Sequence, residues 1–168
     1  MNRPELSVRR CQPADWETII AIANRAFREI RRYTREQLGD KLADLAYPGG
    51  DDRSKGNEVR RHLEAHPQQC LVCESEGVIV GFATYRIDGA FGVISNNGAD
   101  PDHHIPGTGT ALYRELLRIF REEGCRAAKV VTGLTEPFAP ARHAYEKAGF
   151  RNRLESVTYY LDLEDTQF

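Results

Sequence analysis

No stretch of this sequence is apolar enough to cross a bilayer; none approaches the roughly 18 consecutive apolar residues that a span needs. The start, Met1-Asn2-Arg3-Pro4-Glu5-Leu6, holds no apolar run of the secretory kind, so a cytoplasmic chain with no membrane partner is expected. An excess of one charge is missing too. Lys and Arg number 23 against 25 Asp and Glu, a net charge of -2, which leaves no electrostatic footprint for nucleic acid. Cysteine is scarce, at four residues. Cys70-Leu71-Val72-Cys73 has redox or metal spacing, but it falls in a strand-like run where positions three apart face opposite sides. Reduced structural thiols and no metal are expected.

What is present is an ordinary globular composition, 40% hydrophobic, in 168 residues, which suits one domain with a real core. Leu6-Ser7-Val8-Arg9-Arg10 alternates apolar and polar and predicts a first strand. Pro13 and Asp15 signal a helix start, with Trp16, Ile19, Ile20, Ala23 and Phe27 at helical spacing. Arg25, Arg28, Arg31, Arg32 and Arg35 follow, interleaved with Glu29 and Glu36. Such a face either holds an anionic substrate or, more commonly, is a solvated surface of i,i+3 and i,i+4 pairs. Residues 30–66 predict a helical excursion that shapes the acceptor side of a site. Leu38, Leu42, Leu45 and Ala46 mark one short helix, broken by Pro48-Gly49-Gly50; a loop covers 51–56, and Val59, Leu63 and Ala65 mark another helix. Asp40, Asp44, Asp51 and Asp52 there either draw a cationic substrate or are ordinary exposed acids.

From Gln69 the pattern changes to strands: 70–74 and 78–85 around Ser75-Glu76-Gly77, then a second turn at Asp88-Gly89 into 91–97. Leu112, Leu116, Ile119 and Phe120 form one face of a helix that Gly124 closes, and 127–132 predicts a further strand. That strand–helix–strand order makes a right-handed crossover with parallel pairing. A helix near Pro140 carries Ala141, Ala144, Tyr145 and Ala148 to Gly149, and closing strands are expected at 151–154 and 157–163.

The chain is organised around Asn96-Asn97-Gly98-Ala99-Asp100-Pro101-Asp102-His103-His104-Ile105-Pro106-Gly107-Thr108-Gly109-Thr110. It reads as a strand end, a polar turn, a glycine loop and the start of an amphipathic helix. Free backbone N–H groups at the positive end of a helix suit a phosphate or pyrophosphate. Gly107-Thr108-Gly109 alone is weak evidence. A dinucleotide fingerprint wants glycine where Leu112 stands, and a P-loop wants a lysine that is absent.

The order of elements is more discriminating. The loop His104-Ile105-Pro106-Gly107-Thr108-Gly109, followed by Tyr145-Glu146-Lys147-Ala148-Gly149-Phe150, resembles the GNAT superfamily of acyl-CoA-dependent N-acyltransferases, over residues 69–163. That resemblance implies one α/β (α+β) domain over 1–168, with a mixed, mostly antiparallel sheet of six to seven strands flanked by helices. Strands four and five would be parallel and splayed. It also implies acetyl transfer from acetyl-CoA, as co-substrate, to a small-molecule or peptide amine, by a monomer or homodimer. The cofactor would lie on Asn97, Gly98 and Ala99 of the strand, and on His104, Ile105, Gly107, Thr108, Gly109 and Thr110 of the loop, with Tyr145 as general acid. A bulge in the strand would free an N–H for the thioester oxygen. His104 stands where the family has Arg or Gln, Ile105 where it has Gly, Pro106 where it is basic, and Phe138 where Asn is frequent. Pro106 offers no N–H, and the loss of one charge-assisted bond of roughly 1.5–3 kcal/mol weakens binding about tenfold or more. The alternative these departures motivate is a non-catalytic acyl-CoA-binding or regulatory module on the same fold.

Overall fold

The computed structural model describes residues 5–166; residues 1–4, on which the leader reading rests, and 167–168 lie outside the described residues. Five strands form one sheet in sequence order: β1 (Ser7–Arg10), β2 (Cys70–Ser75), β3 (Val78–Asp88), β4 (Phe91–Ala99) and β5 (Ala127–Val130). The pairings are antiparallel from β1 to β4, and β4–β5 is parallel. The helices are α1 (Trp16–Leu38), α2 (Asp40–Ala46), α3 (Ser54–Ala65), α4 (Thr108–Glu122) and α5 (Ala139–Ala148).

Both hairpins are tight for a local reason. Glu76 and Gly77 take positive φ of 51° and 77°, the sense of a two-residue turn whose twist matches the strands it joins. The β3–β4 turn is Gly89-Ala90, one residue later than expected, with Gly89 at φ 57°. Alternation along the strands then sorts the core into two layers. Cys70, Val72 and Phe82 pack with Ile19, Ile22, Val59 and Leu63 on the α1–α3 face. Leu71, Cys73, Ala83, Tyr85 and Ile94 pack with Leu112, Leu116, Phe120 and Tyr145 on the α4–α5 face. Cys70 and Cys73 therefore lie in different layers, and all four cysteines are free.

Helix α3 begins at Ser54, inside the segment expected to be a loop. Gly56 sits within it because α1 presses close: a Cβ there would lie 2.5 Å from Asn24 Nδ2, and Asn24 Oδ1 accepts the Gly56 N–H at 2.7 Å. The larger correction concerns the C-terminal segment. Residues 151–161 form no strand and are exposed, so the sheet has five strands rather than six to seven. Alternation specifies a strand only where an edge comes alongside. Here Lys41 of α2 takes the end of the segment instead, pairing with Asp162 at 2.8 Å and Glu164 at 2.7 Å.

Candidate functional site

Strand β4 keeps β5 as a neighbour only from Phe91 to Ile94, and then the two part. Next to the parting lies a β-bulge. Tyr85 pairs with Ile94 and Ala83 with Asn97, so Ser95 and Asn96 oppose the single residue Thr84. Thr84, fully buried, closes the bulge: its hydroxyl accepts the Asn96 N–H at 2.9 Å and donates to the Asn96 carbonyl at 3.2 Å. The Asp100 N–H likewise points toward β3, to the Val80 carbonyl at 2.8 Å. Strand alternation therefore turns the N–H and carbonyl of Asn97 and Ala99 the other way, into the space β5 has left. Gly98 between them lets α1 approach, since a Cβ would sit 3.2 Å from that of Ala26.

The loop after β4 is built on Asp100. Its buried carboxylate accepts from Arg25 Nε and Nη2 at 3.1 and 2.8 Å and from the Asp102 N–H at 3.1 Å, and meets His103 Nδ1 at 3.1 Å. Burial pushes the Asp100 carboxyl up, but Arg25, His103 and the Asp102 N–H together outweigh it and hold it below its ordinary value. Gly107, at φ 97°, occupies the left-handed region where a side chain is strained, and it caps α4. The Ala111 N–H reaches the Gly107 carbonyl at 2.9 Å, the first bond of the helix. Among the described residues the N–H groups of Gly107, Gly109 and Thr110 have no such partner, as expected at a helix start. That of Thr108 is already engaged, by the Ile105 carbonyl at 3.3 Å, which also accepts the Thr108 hydroxyl at 2.8 Å. Three of the four expected donors are thus free to face an anion. Gly81 of β3 makes this possible, because a Cβ there would lie 2.5 Å from Thr108 Cγ2.

Helix α5 packs on the same end of α4, with Ala144 3.3 Å from where a Cβ of Gly109 would be. This brings Tyr145 to the bulged strand. Tyr145 and Tyr113, 5% and 4% exposed, lie with ring centroids 4.6 Å apart, and both hydroxyls donate to Asn97 Oδ1, at 3.1 and 2.7 Å. Burial raises the Tyr145 phenol above its ordinary value, and the hydrogen bonds with Asn97 and Tyr113 offset only part of that. Burial, with the neighbouring Tyr145, raises Tyr113 as well. Both are therefore protonated donors at neutral pH.

The other expected site residues separate. His104 is exposed, and among the described residues its side chain has no hydrogen-bond partner, whereas Ile105 turns inward against the α4–α5 core. The α1 arginines after Arg25 pair with acids of the excursion or of α1 itself. Arg28 pairs with Asp52, Arg35 with Asp40, Asp44 and Asp51, Arg32 with Glu29, and buried Arg31 with Glu58. Thr84, Asp100, Arg25 and Tyr113 gain their roles only from the fold; in the sequence Asp100 stands merely within the central stretch and Arg25 within a basic face. A threonine amid Val80, Phe82 and Ala83 was the signal for the first, and an Asx before Pro101 for the second; Arg25 is one of several similar arginines, and Tyr113 carries no local mark.

Residues 22–150 match the family model described as the Acetyltransferase (GNAT) family. Over 146 residues the chain is 25% identical to the mycothiol acetyltransferase of Clavibacter sepedonicus, an alignment covering 86% of this chain and 41% of that protein. The chain thus spans less than half the length of this relative. Among solved structures, the ribosomal-protein-S18-alanine N-acetyltransferase from Escherichia coli is similar at a TM-score of 0.63 and 17% identity, covering 95% of this chain and 86% of that one. A GNAT family acetyltransferase from Brucella melitensis, in complex with acetyl-CoA, is similar at 0.58 and 18%, covering 89% and 85%.

Proposed function

The chain belongs to the GNAT acetyltransferase family, and on that premise we propose that it transfers an acetyl group from acetyl-CoA to the amine of a small molecule or peptide, by direct attack. The observation that carries the reading is the juxtaposition of a bulged, parted β4 with free amides at the start of α4. The N–H groups of Gly107, Gly109 and Thr110 lack partners among the described residues and sit where the helix dipole favours negative charge, so they fit a pyrophosphate. Acetyl-CoA supplies the activated acyl group when bound. Asn97 and Ala99 offer N–H and carbonyl groups to its arm as an added strand would use them, and an outward N–H there stabilises negative charge on the thioester oxygen.

Tyr145 is the donor to the departing sulfur. Its raised phenol stays protonated, and a thiol titrates near 8.5, so outright transfer runs uphill. Hydrogen bonding to the developing thiolate is the larger part of its role, as the neutral amine forms the new C–N bond, the C–S bond breaks and the surplus proton on nitrogen leaves through solvent. The acceptor side is lined by α1 and the 30–66 excursion. Names of similar proteins favour an amine there: one acts on the alanine of ribosomal protein S18.

A second reading, an acyl-CoA-binding module without turnover, is supported by Pro106, which has no N–H, and by the Thr108 N–H already committed to Ile105. The experiment is calorimetric titration with acetyl-CoA, followed by thiol release against a panel of amines and peptide N-termini. Binding with turnover is expected. Binding without turnover across the panel favours the second reading, and no heat at millimolar ligand removes both.

A further inference from the structure

Cys70 and Cys73 face different layers, but the fold gives Cys70 another neighbour. In the β1–β2 register Arg10 stands opposite Leu71, so the next pair outward sets Cys11 opposite Cys70, and the Cys11 N–H donates to the Cys70 carbonyl at 2.9 Å. Residues so paired in an antiparallel ladder have Cα atoms about 5.5 Å apart, inside the span of roughly 4.4–6.8 Å that a disulfide bridges. Directly opposed residues also turn their side chains to one face of the sheet. Both sulfurs accordingly lie in the α1–α3 layer, where Cys70 is part of the core and Cys11 packs against it together with Trp16.

The two thiols differ in access and in acidity. Cys70 is fully buried and Cys11 half-buried, so a molecule arriving from solvent meets Cys11 first. The Cys70 thiol, as a donor, holds Cys11 below its ordinary value; the Trp16 indole N–H and the Arg9 charge act the same way, against burial and Asp15. Cys70 is pushed in the other direction, by the same neighbour and by burial. The Trp16 N–H adds a separate observation. It is buried and makes no well-aligned hydrogen bond among the described residues, although it lies beside Cys11. A buried donor left over next to a thiol is better satisfied when that thiol is a thiolate.

Their place in the chain gives the pair a consequence. Cys11 follows β1 and Cys70 opens β2, so all of α1, α2 and α3 lies between them. A bond there would tie together both ends of the stretch that lines the acceptor side. A low-pKa, accessible thiol poised next to a resolving one is the arrangement that redox-sensing cysteines take.

We propose that Cys11 and Cys70 form a redox-active dithiol, which a low-molecular-weight disulfide converts to a cross-strand bond. The Cys11 thiolate attacks one sulfur of the small disulfide, forming a mixed disulfide and expelling one small thiolate. That thiolate takes the Cys70 proton, and the Cys70 sulfur attacks Cys11 Sγ. The second small thiolate leaves and takes up the proton that Cys11 had released. The two cysteines lose two electrons between them, and the small disulfide is reduced to two thiols.

The test is peptide mapping by mass spectrometry of native wild type after incubation with excess oxidised glutathione and quenching with iodoacetamide. A cross-linked Cys11–Cys70 peptide is expected, with two fewer alkylatable thiols on later unfolding, both regained with dithiothreitol. The chain has a single tryptophan, so emission from Trp16 is expected to fall on oxidation and recover on reduction. In Cys70→Ala a glutathione adduct on Cys11 is expected to persist, since nothing resolves it. Glutathione left on Cys11 in the wild type overturns the proposal, as does a bond from either residue to Cys73 or Cys125, or two thiols still free under excess oxidant. If Cys70→Ala does not fold, the wild-type map decides alone.

Discussion

The hydroxyls of Tyr113 and Tyr145 converge on one acceptor, Asn97 Oδ1, at 2.7 and 3.1 Å. Tyr113 makes the shorter bond; Tyr145 makes the longer one and comes from the helix beyond the parted strands. Under the proposed function, Tyr113 would serve as the fixed support and Tyr145 as the donor that turns to the sulfur. Tyr145→Phe is expected to lower kcat by about 10²-fold, within the range for a lost general acid, with acetyl-CoA affinity changed little. Tyr113→Phe is expected to cost about 1 kcal/mol of stability and less than tenfold in kcat. Steady-state kinetics and thermal unfolding of both variants check this, and the reverse ranking in kcat exchanges their roles.

Gly107 caps α4 at φ 97°. Gly107→Ala is expected to strain the cap by about 1–2 kcal/mol and to weaken acetyl-CoA binding about tenfold by tilting the free amides. Gly107→Asn, which tolerates this region better, is expected to fall between Ala and wild type in calorimetric Kd.

Asp100 links pH to stability. Its carboxyl is held below the ordinary value, so the stabilisation is fully present above the unfolded value near 3.9 and is lost as pH falls through the lower folded value. Asp100→Asn is expected to destabilise by about 2–3 kcal/mol at pH 7, since Arg25 loses a buried partner. Below pH 4 the gap between variant and wild type is expected to narrow. Chemical denaturation across pH 3–7 reads it; a constant gap contradicts the assignment.

How much of this was legible beforehand follows from how local each cause is. The hairpins, the α4 cap and the two faces of Cys70 and Cys73 are set by neighbours in sequence, and the sequence pattern places them within a residue or two. The closing strands expected at 151–154 and 157–163 do not form, because Val157, Tyr159 and Leu161 specify a face but not the edge it joins. The Thr84 bulge and the Asp100–Arg25 pair depend on partners 12 and 75 positions away, and no local pattern announces them. The arginines of α1 looked alike in sequence; only the fold distinguishes buried Arg31 from exposed Arg32.

Burial pushes the Cys73 thiol up to about 11, leaving little thiolate at pH 8. Cys73 is expected to resist iodoacetamide in the native protein and to react only after unfolding, with half-buried Cys125 labelled earlier. Mass spectrometry of a labelling time course checks the order.

The most direct measurement is an amide NMR titration of the labelled protein with coenzyme A. The largest shifts are expected at the N–H groups of Gly107, Gly109 and Thr110, with a second set at Asn97 and Ala99 and little change at Thr108. Unmoved amides at Gly107, Gly109 and Thr110 under saturating ligand would contradict the idea that the start of α4 holds the diphosphate.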